Sequence, residues 1–211
     1  MAHLILLGDS IFDNVVYTRG GPDVVSQVRS LLPPGWNASL LAVDGATTAG
    51  VADQVQILPA DATHLVLSVG GNDALMQEAV LHIGVSSVAQ AVGALADVVS
   101  EFEQNYRSGV ESCLRTGLPL TVCTIYNGCM PDPQYQRVVT TVLALFNDSI
   151  LRVAMEHRLS VIDLRAICVN PEDYANPIEP SSVGGEKIAK AITELVANPM
   201  PYGQKKICSD S

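Results

Sequence analysis

The sequence predicts an α/β protein, a single domain in which helices cover both faces of a parallel five-stranded sheet. Three observations carry this. Short apolar runs recur without polar alternation, as suits strands buried on both faces. Segments with apolar residues at helical spacing separate them, the pattern of repeated strand–helix–strand units. Most runs close on Gly, Asp, Ser or Asn, the residues that turns and helix caps favour.

The first strand is residues 4–7, Leu-Ile-Leu-Leu, and Gly8 allows a sharp exit into Asp9-Ser10. After Gly20-Gly21-Pro22, residues 23–32 place Val24, Val25, Val28, Leu31 and Leu32 on one helical face, and Pro33-Pro34-Gly35 stops the helix. Residues 38–43 form the second strand, ending at Asp44-Gly45-Ala46, and a helix follows over 48–58 with Val51, Val55 and Leu58 aligned. The third strand, 64–69, ends at Gly70-Gly71-Asn72-Asp73. Residues 87–115 are helical in one or two pieces, 118–125 are the fourth strand, and 134–157 the next helix. The fifth strand is 160–164 and the last helix 181–196. Residues 1–197 make one domain, and 198–211 a loose C-terminal tail. Stretches 72–87 and 126–133 remain as the loops able to shape a pocket. Right-handed crossovers then favour a three-layer α/β/α arrangement with the flavodoxin-like order 2-1-3-4-5.

Composition narrows the partners. With 12 basic against 22 acidic residues the formal charge is −10, so no basic stripe is available for nucleic acid or an anionic membrane. A small neutral or cationic substrate is compatible, and the charge leaves the oligomeric state open. Met1-Ala2-His3 supplies no basic region of a signal peptide, and no window reaches the apolar length of a membrane span, so the expected location is cytoplasmic. Five cysteines, odd in number and without C-x-x-C spacing, read as reduced thiols; Cys129 lies in a loop and is the one to watch for reactivity. No metal cluster is visible, and no metal or cofactor is expected.

Three signals fall on one sheet edge. The first strand ends at Ser10, the second at Gly45 and the third at Asn72, all at the carboxyl ends where open α/β sheets bind ligands. Ser10 supplies a hydroxyl and an N–H, Gly45 an unobstructed N–H, and Asn72 an amide donor, the parts of an oxyanion hole around a nucleophile. Each residue alone is equally a turn or cap residue. Asp9, Asp13 and Asp73 read as loop and capping residues that could border the pocket, and Asp163, closing the fifth strand, could face it.

Gly8-Asp9-Ser10, Gly45 and Gly71-Asn72-Asp73 resemble the first three sequence blocks of the SGNH (GDSL-type) hydrolases, and Pro180-Ser181-Ser182-Val183-Gly184-Gly185 resembles the segment after their fourth. The resemblance implies hydrolysis of small esters or thioesters through a Ser10 acyl-enzyme, with Ser10, Gly45 and Asn72 as oxyanion donors. It breaks at the fourth block. Where the family has Asp-x-x-His-Pro, this chain has Asn176-Pro177-Ile178-Glu179-Pro180. Glu179 thus stands where the general base is expected, and Asn176 where its orienting Asp is expected. An Asn is compatible with a neighbouring carboxylate and could hydrogen-bond to it, whereas an Asp would repel it. Of four histidines, His3, His64 and His157 belong at the opposite edge, and only His82 could reach the functional side. Three readings follow: an esterase, weak or specialised, using Glu179 as base; a small-ligand-binding protein that has lost turnover; and a serine hydrolase recruiting His82 or a partner's residue.

Overall fold

The computed structural model describes residues 2–197; the expected tail 198–211 and Cys208 lie outside them. Strands β1 (Ala2–Gly8), β2 (Trp36–Leu40), β3 (His64–Ser68), β4 (Leu120–Cys123) and β5 (Ser160–Ile162) form one parallel sheet in the order 2-1-3-4-5. The expected architecture is therefore the observed one. Side-chain alternation along β1 divides the interior in two. Leu4 and Leu6 join the core beneath helices α1 (Val24–Leu31) and α7 (Ser182–Ala197), whereas Ile5 and Leu7 join the core beneath α4 (Val88–Leu114) and α5 (Pro133–Glu156). Both faces being covered explains why β1 is apolar without alternation from Leu4 to Leu7.

The helices begin where the sequence supplies caps. Asp23, Ser87 and Asp132 each accept a backbone N–H of the first turn of α1, α4 and α5, and Pro133 occupies the start of α5, where its missing N–H costs nothing. Several boundaries differ from expectation. The segment 87–115 is one unbroken helix, and 48–58 divides into a 3-10 turn (Thr48–Gly50) and α2 (Val51–Gln56). The stretch read as a loop after Asn72 is instead α3 (Gly71–Met76) followed by a 3-10 helix (Glu78–His82), and a short α6 (Leu164–Ile167) follows β5. Helix α5 also corrects the reading that no segment has the apolar length of a membrane span, since by length and composition it does. Its Phe146, Ile150 and Val153 are buried against the sheet, and much of its remaining apolar surface is uncovered.

Gly8 is the pivot of the fold's functional edge. Its φ is +121°, and a Cβ there would lie 1.7 Å from the Ser68 carbonyl oxygen of β3. The Gln54 side chain brackets it, accepting from Gly8 N–H at 2.7 Å and donating to Gly8 C=O at 2.8 Å. Gly8→Ala is expected to destabilise the protein by about 3–5 kcal/mol, because both the φ and the contact are forbidden to a side chain. Urea unfolding followed by circular dichroism measures this.

Candidate active site

Beyond Gly8 the chain turns at once. Asp9 N–H donates to Ser68 C=O, and the N–H groups of Phe12 and Asp13 both donate to Asp9 C=O, so residues 9–13 form a tight helical turn. Ser10 sits inside it, 6% exposed, and its Oγ donates to Glu179 Oε1 at 3.1 Å. Glu179 is equally buried, and its second oxygen has no hydrogen-bond partner among the described residues.

The segment carrying Glu179 is held from several directions. Asn176 Oδ1 accepts from the N–H groups of Ile178 and Glu179, and Glu179 C=O accepts from Ala175 N–H. Tyr126 donates its hydroxyl to Ile178 C=O at 2.5 Å, and Asn14 donates its amide to Pro180 C=O at 3.2 Å while accepting from Val24 N–H. Below, fully buried Asp173 pairs with Lys187 at 2.8 Å, accepts from Val169 and Asn170 N–H, and takes Ser181 N–H on its carbonyl. The sequence suggested that the Asn176 amide could bond the Glu179 carboxylate. Instead Asn176 is exposed and shapes the turn through its carbonyl oxygen, as Asx residues commonly do.

The second and third strand exits are tied to the first. Val43 N–H donates to Gly8 C=O, and Gly45, at φ +79°, lies in the turn closed by Ala46 N–H to Val43 C=O. Asp13 accepts Asp44 N–H at 2.9 Å, and Tyr17 donates to Asp44 at 2.8 Å. Asp73 accepts both Thr48 N–H and Thr48 Oγ1, and Asn72 Nδ2 donates to Ala46 C=O at 2.8 Å. That bond uses one of the two amide hydrogens of Asn72, leaving the other for a ligand.

Ser10, Asn72, Glu179 and Asp9 thereby line one open cavity. Gly45, Asp13 and Asn176, in the surrounding loops, and Asp73, in α3, hold these residues and do not line it. His82 is exposed at the end of its 3-10 helix and does not line it either. His3 is bound to Asp61 and Ser39, and His64 packs on Trp36, both at the opposite edge. Asp163 does not face the site; it caps α6 and binds Thr124 and Arg165. Burial pushes its pKa up, but the Arg165 and Thr124 hydrogen bonds outweigh that and hold it below the usual carboxylate value. Cys129 is half-buried, its N–H donating to Pro177 C=O, so it braces the Glu179 loop. Among the described residues no group of three or more His, Cys, Asp or Glu is placed to hold a metal.

Two of the cavity's carboxyls are electrostatically unusual. Burial drives Glu179 up to about 7; the Ser10 hydrogen bond opposes the shift and the Asp44 charge adds to it. Burial drives Asp9 further, to about 8, against the Ile11 N–H it accepts and with the added repulsion of Glu179 and Asp73. Glu179 is thus divided between its two protonation states near neutral pH, while Asp9 largely keeps its proton.

Gln54 and Asp173 escaped the sequence reading. Gln54 acts on Gly8, 46 residues away, and Asp173 on Lys187, 14 residues away, and no local pattern marks either bond. The one available signal was the spacing of Gln54, three residues after Val51 and four before Leu58 on the same helical face.

Asp9 offers a measurable consequence. Between about pH 4 and pH 8 the folded protein keeps the Asp9 proton that the unfolded chain releases, so this contribution to stability is full at the acid end and lost as pH rises. Asp9→Asn, which still accepts Ile11 N–H, is expected to match wild type near pH 4 and to exceed it increasingly towards pH 8. Melting temperatures of the two proteins across that range test it, and a constant difference would contradict it.

A family model described as GDSL-like lipase/acylhydrolase matches residues 6–184 of the chain. No curated protein matches the sequence. Among solved structures, the lipase Lip_vut3 from a goat rumen metagenome is similar at TM-score 0.70 and 19% identity, covering 98% of this chain and 100% of that one. A lipolytic protein of the G-D-S-L family from Veillonella parvula is similar at TM-score 0.69 and 17% identity, with 94% and 100% covered. Est24, a carbohydrate acetylesterase from Sinorhizobium meliloti, is similar at TM-score 0.63 and 14% identity, with 93% and 99% covered.

Proposed function

The chain belongs to the GDSL-like lipase/acylhydrolase family, and we propose that within it the protein is a carboxylic-ester hydrolase acting on small esters or thioesters through a Ser10 acyl-enzyme, with Glu179 as general base. The observation carrying this reading is the buried 3.1 Å hydrogen bond from Ser10 Oγ to Glu179 Oε1. Geometry of that kind is what a nucleophile and its base require. Glu179 takes the Ser10 proton as Oγ attacks the acyl carbon, and the tetrahedral oxyanion is received by Ser10 N–H and the free Asn72 amide hydrogen, both at the cavity wall. Protonated Glu179 then gives its proton to the leaving group. Water repeats the sequence on the acyl-enzyme and releases the acid.

An unperturbed Glu would lie about two pH units below His, a difference of roughly 3 kcal/mol in proton affinity. The shift of Glu179 to about 7 closes that gap. The acidic chain supports a neutral or cationic small substrate, and the free thiols at Cys113, Cys123, Cys129 and Cys168 support a reducing, cytoplasmic setting. A second reading, a ligand-binding protein without turnover, is favoured by one observation: no group among the described residues hydrogen-bonds the second Glu179 oxygen.

Hydrolysis of p-nitrophenyl acetate separates the two. The wild type is expected to exceed background, Ser10→Ala to fall to it, and Glu179→Gln to lose about 100-fold or more. Asn72→Ala should lose about 100- to 1,000-fold in kcat, and His82→Ala nothing. A wild type at the Ser10→Ala rate would favour the binding reading, and full activity of Glu179→Gln would exclude Glu179 as base.

The pH profile follows from the same residue. The base must be ionised, so kcat/KM is expected to rise with pH through about 7, gaining about tenfold between about pH 6 and pH 8. A rate already level above about pH 5.5 would mean that an unperturbed carboxylate, or none, controls the reaction.

A further inference from the structure

The cavity extends well beyond the reacting groups. Its lining includes Ser10, Asn72 and Glu179, and much of the rest is apolar side chain carried on two helical walls. One wall is α3 with the following 3-10 helix, contributing Leu75 and Leu81; the other is α5, contributing Val139, Val142 and Leu143. Tyr135 shares that face of α5, lying four, seven and eight residues before them in a helix. Across the groove Glu78 accepts the Tyr135 hydroxyl hydrogen, so the two walls are joined by one side-chain bridge. Both residues line the cavity, and the Tyr135 hydroxyl is bound to one Glu78 oxygen.

We propose that the Tyr135–Glu78 bridge is a crosspiece that sets the length of straight aliphatic acyl chain the groove accepts, so that the substrates are esters of short- to medium-chain alkanoic acids. This rests on the esterase reading for its chemistry. Beyond Asn72 and the bridge, the walls present Leu75, Leu81, Val139, Val142 and Leu143, which offer a sugar or a charged acyl group no hydrogen bond, and burying unmatched polar groups against them would be costly. An alkyl chain brings no polar group to desolvate and gains with every methylene buried. The gain ends where the chain meets the bridge.

The experiment uses two readouts on the full-length wild type, Tyr135→Phe, Tyr135→Ala and Glu78→Ala. The first is kcat/KM for p-nitrophenyl esters from acetyl to dodecanoyl. The second is calorimetric binding of 1-alkanols of the same lengths, which requires no turnover. In the wild type, alkanol affinity should climb about fourfold per methylene and then level off at one chain length. Tyr135→Ala should move that break to longer chains and raise the dodecanoyl-to-butyryl ratio of kcat/KM about tenfold. Glu78→Ala should shift both in the same direction, which covers the case in which Tyr135→Ala does not fold, and Tyr135→Phe should shift them less. A break that stays put in both alanine variants, or no break in the wild type, overturns the crosspiece even if Ser10-dependent hydrolysis is present. A break that moves in a protein without hydrolysis supports the crosspiece and defeats the esterase reading alone.

Discussion

The hydrogen bond from Ser10 to Glu179 joins positions 169 residues apart, and most of the unusual features of this fold serve to make that junction possible. At the near end, β1 must stop abruptly beside β3, a turn that Gly8 permits and Gln54 secures. At the far end, Glu179 lies in a segment without regular structure, which could not hold a buried carboxyl on its own. It is fastened to the body of the protein by Tyr126, Asn14 and the Asp173–Lys187 pair. Gly184 completes the arrangement, since a Cβ there would lie 2.2 Å from Asp173 C=O and hold α7 away from the loop. Breaking any of these restraints would leave both partners intact and the bond between them loose.

How much of this was legible in the sequence depends on the range of the interaction. The parallel sheet and its order could be read because strand burial is written locally, in uninterrupted apolar runs. Ser10, Asn72 and Glu179 could be found because they follow strands or stand in a recognisable spacing, and the fold brings all three to one cavity. Gly45 was marked by the same logic, but it sits in the loop that bonds to Asn72 rather than on the cavity wall. Helix α3 was hidden by Gly70 and Gly71, which read as a turn; Gly70 does adopt φ +124°, and the helix begins directly after it. Asn176 was assigned the right place and the wrong contact, because spacing shows that a residue is near and not which atom it presents.

The groove illustrates the same limit in another form. The sequence marks 134–157 as a helix without saying what its apolar residues face, and the structure divides them between two duties. Phe146, Ile150 and Val153 close the core, whereas Val139 and Leu143 form a wall of the cavity and Val142 touches both. Helical periodicity registers both faces as apolar and cannot say which of them lacks a neighbour. The apolarity that gives α5 the composition of a membrane span therefore has a local cause, a helix serving the core with one face and the cavity with another.

A carboxylate base changes the charge balance of the reaction proposed for this site. An imidazole that accepts the serine proton becomes a cation and offsets the oxyanion, whereas a carboxylate becomes neutral and leaves the oxyanion's charge uncompensated. The Ser10 N–H and the Asn72 amide would then carry more of the stabilisation than they do beside a histidine. The state of Asp9 becomes decisive under those conditions. Ionised, it would add a second negative charge next to the one that develops, in a cavity where screening is weak. Held protonated up to about pH 8 by its burial and by Glu179 itself, it adds none. The same apolar surroundings that lift Glu179 towards the useful range of a base thus keep its neighbour silent. A site built on this substitution needs both effects together.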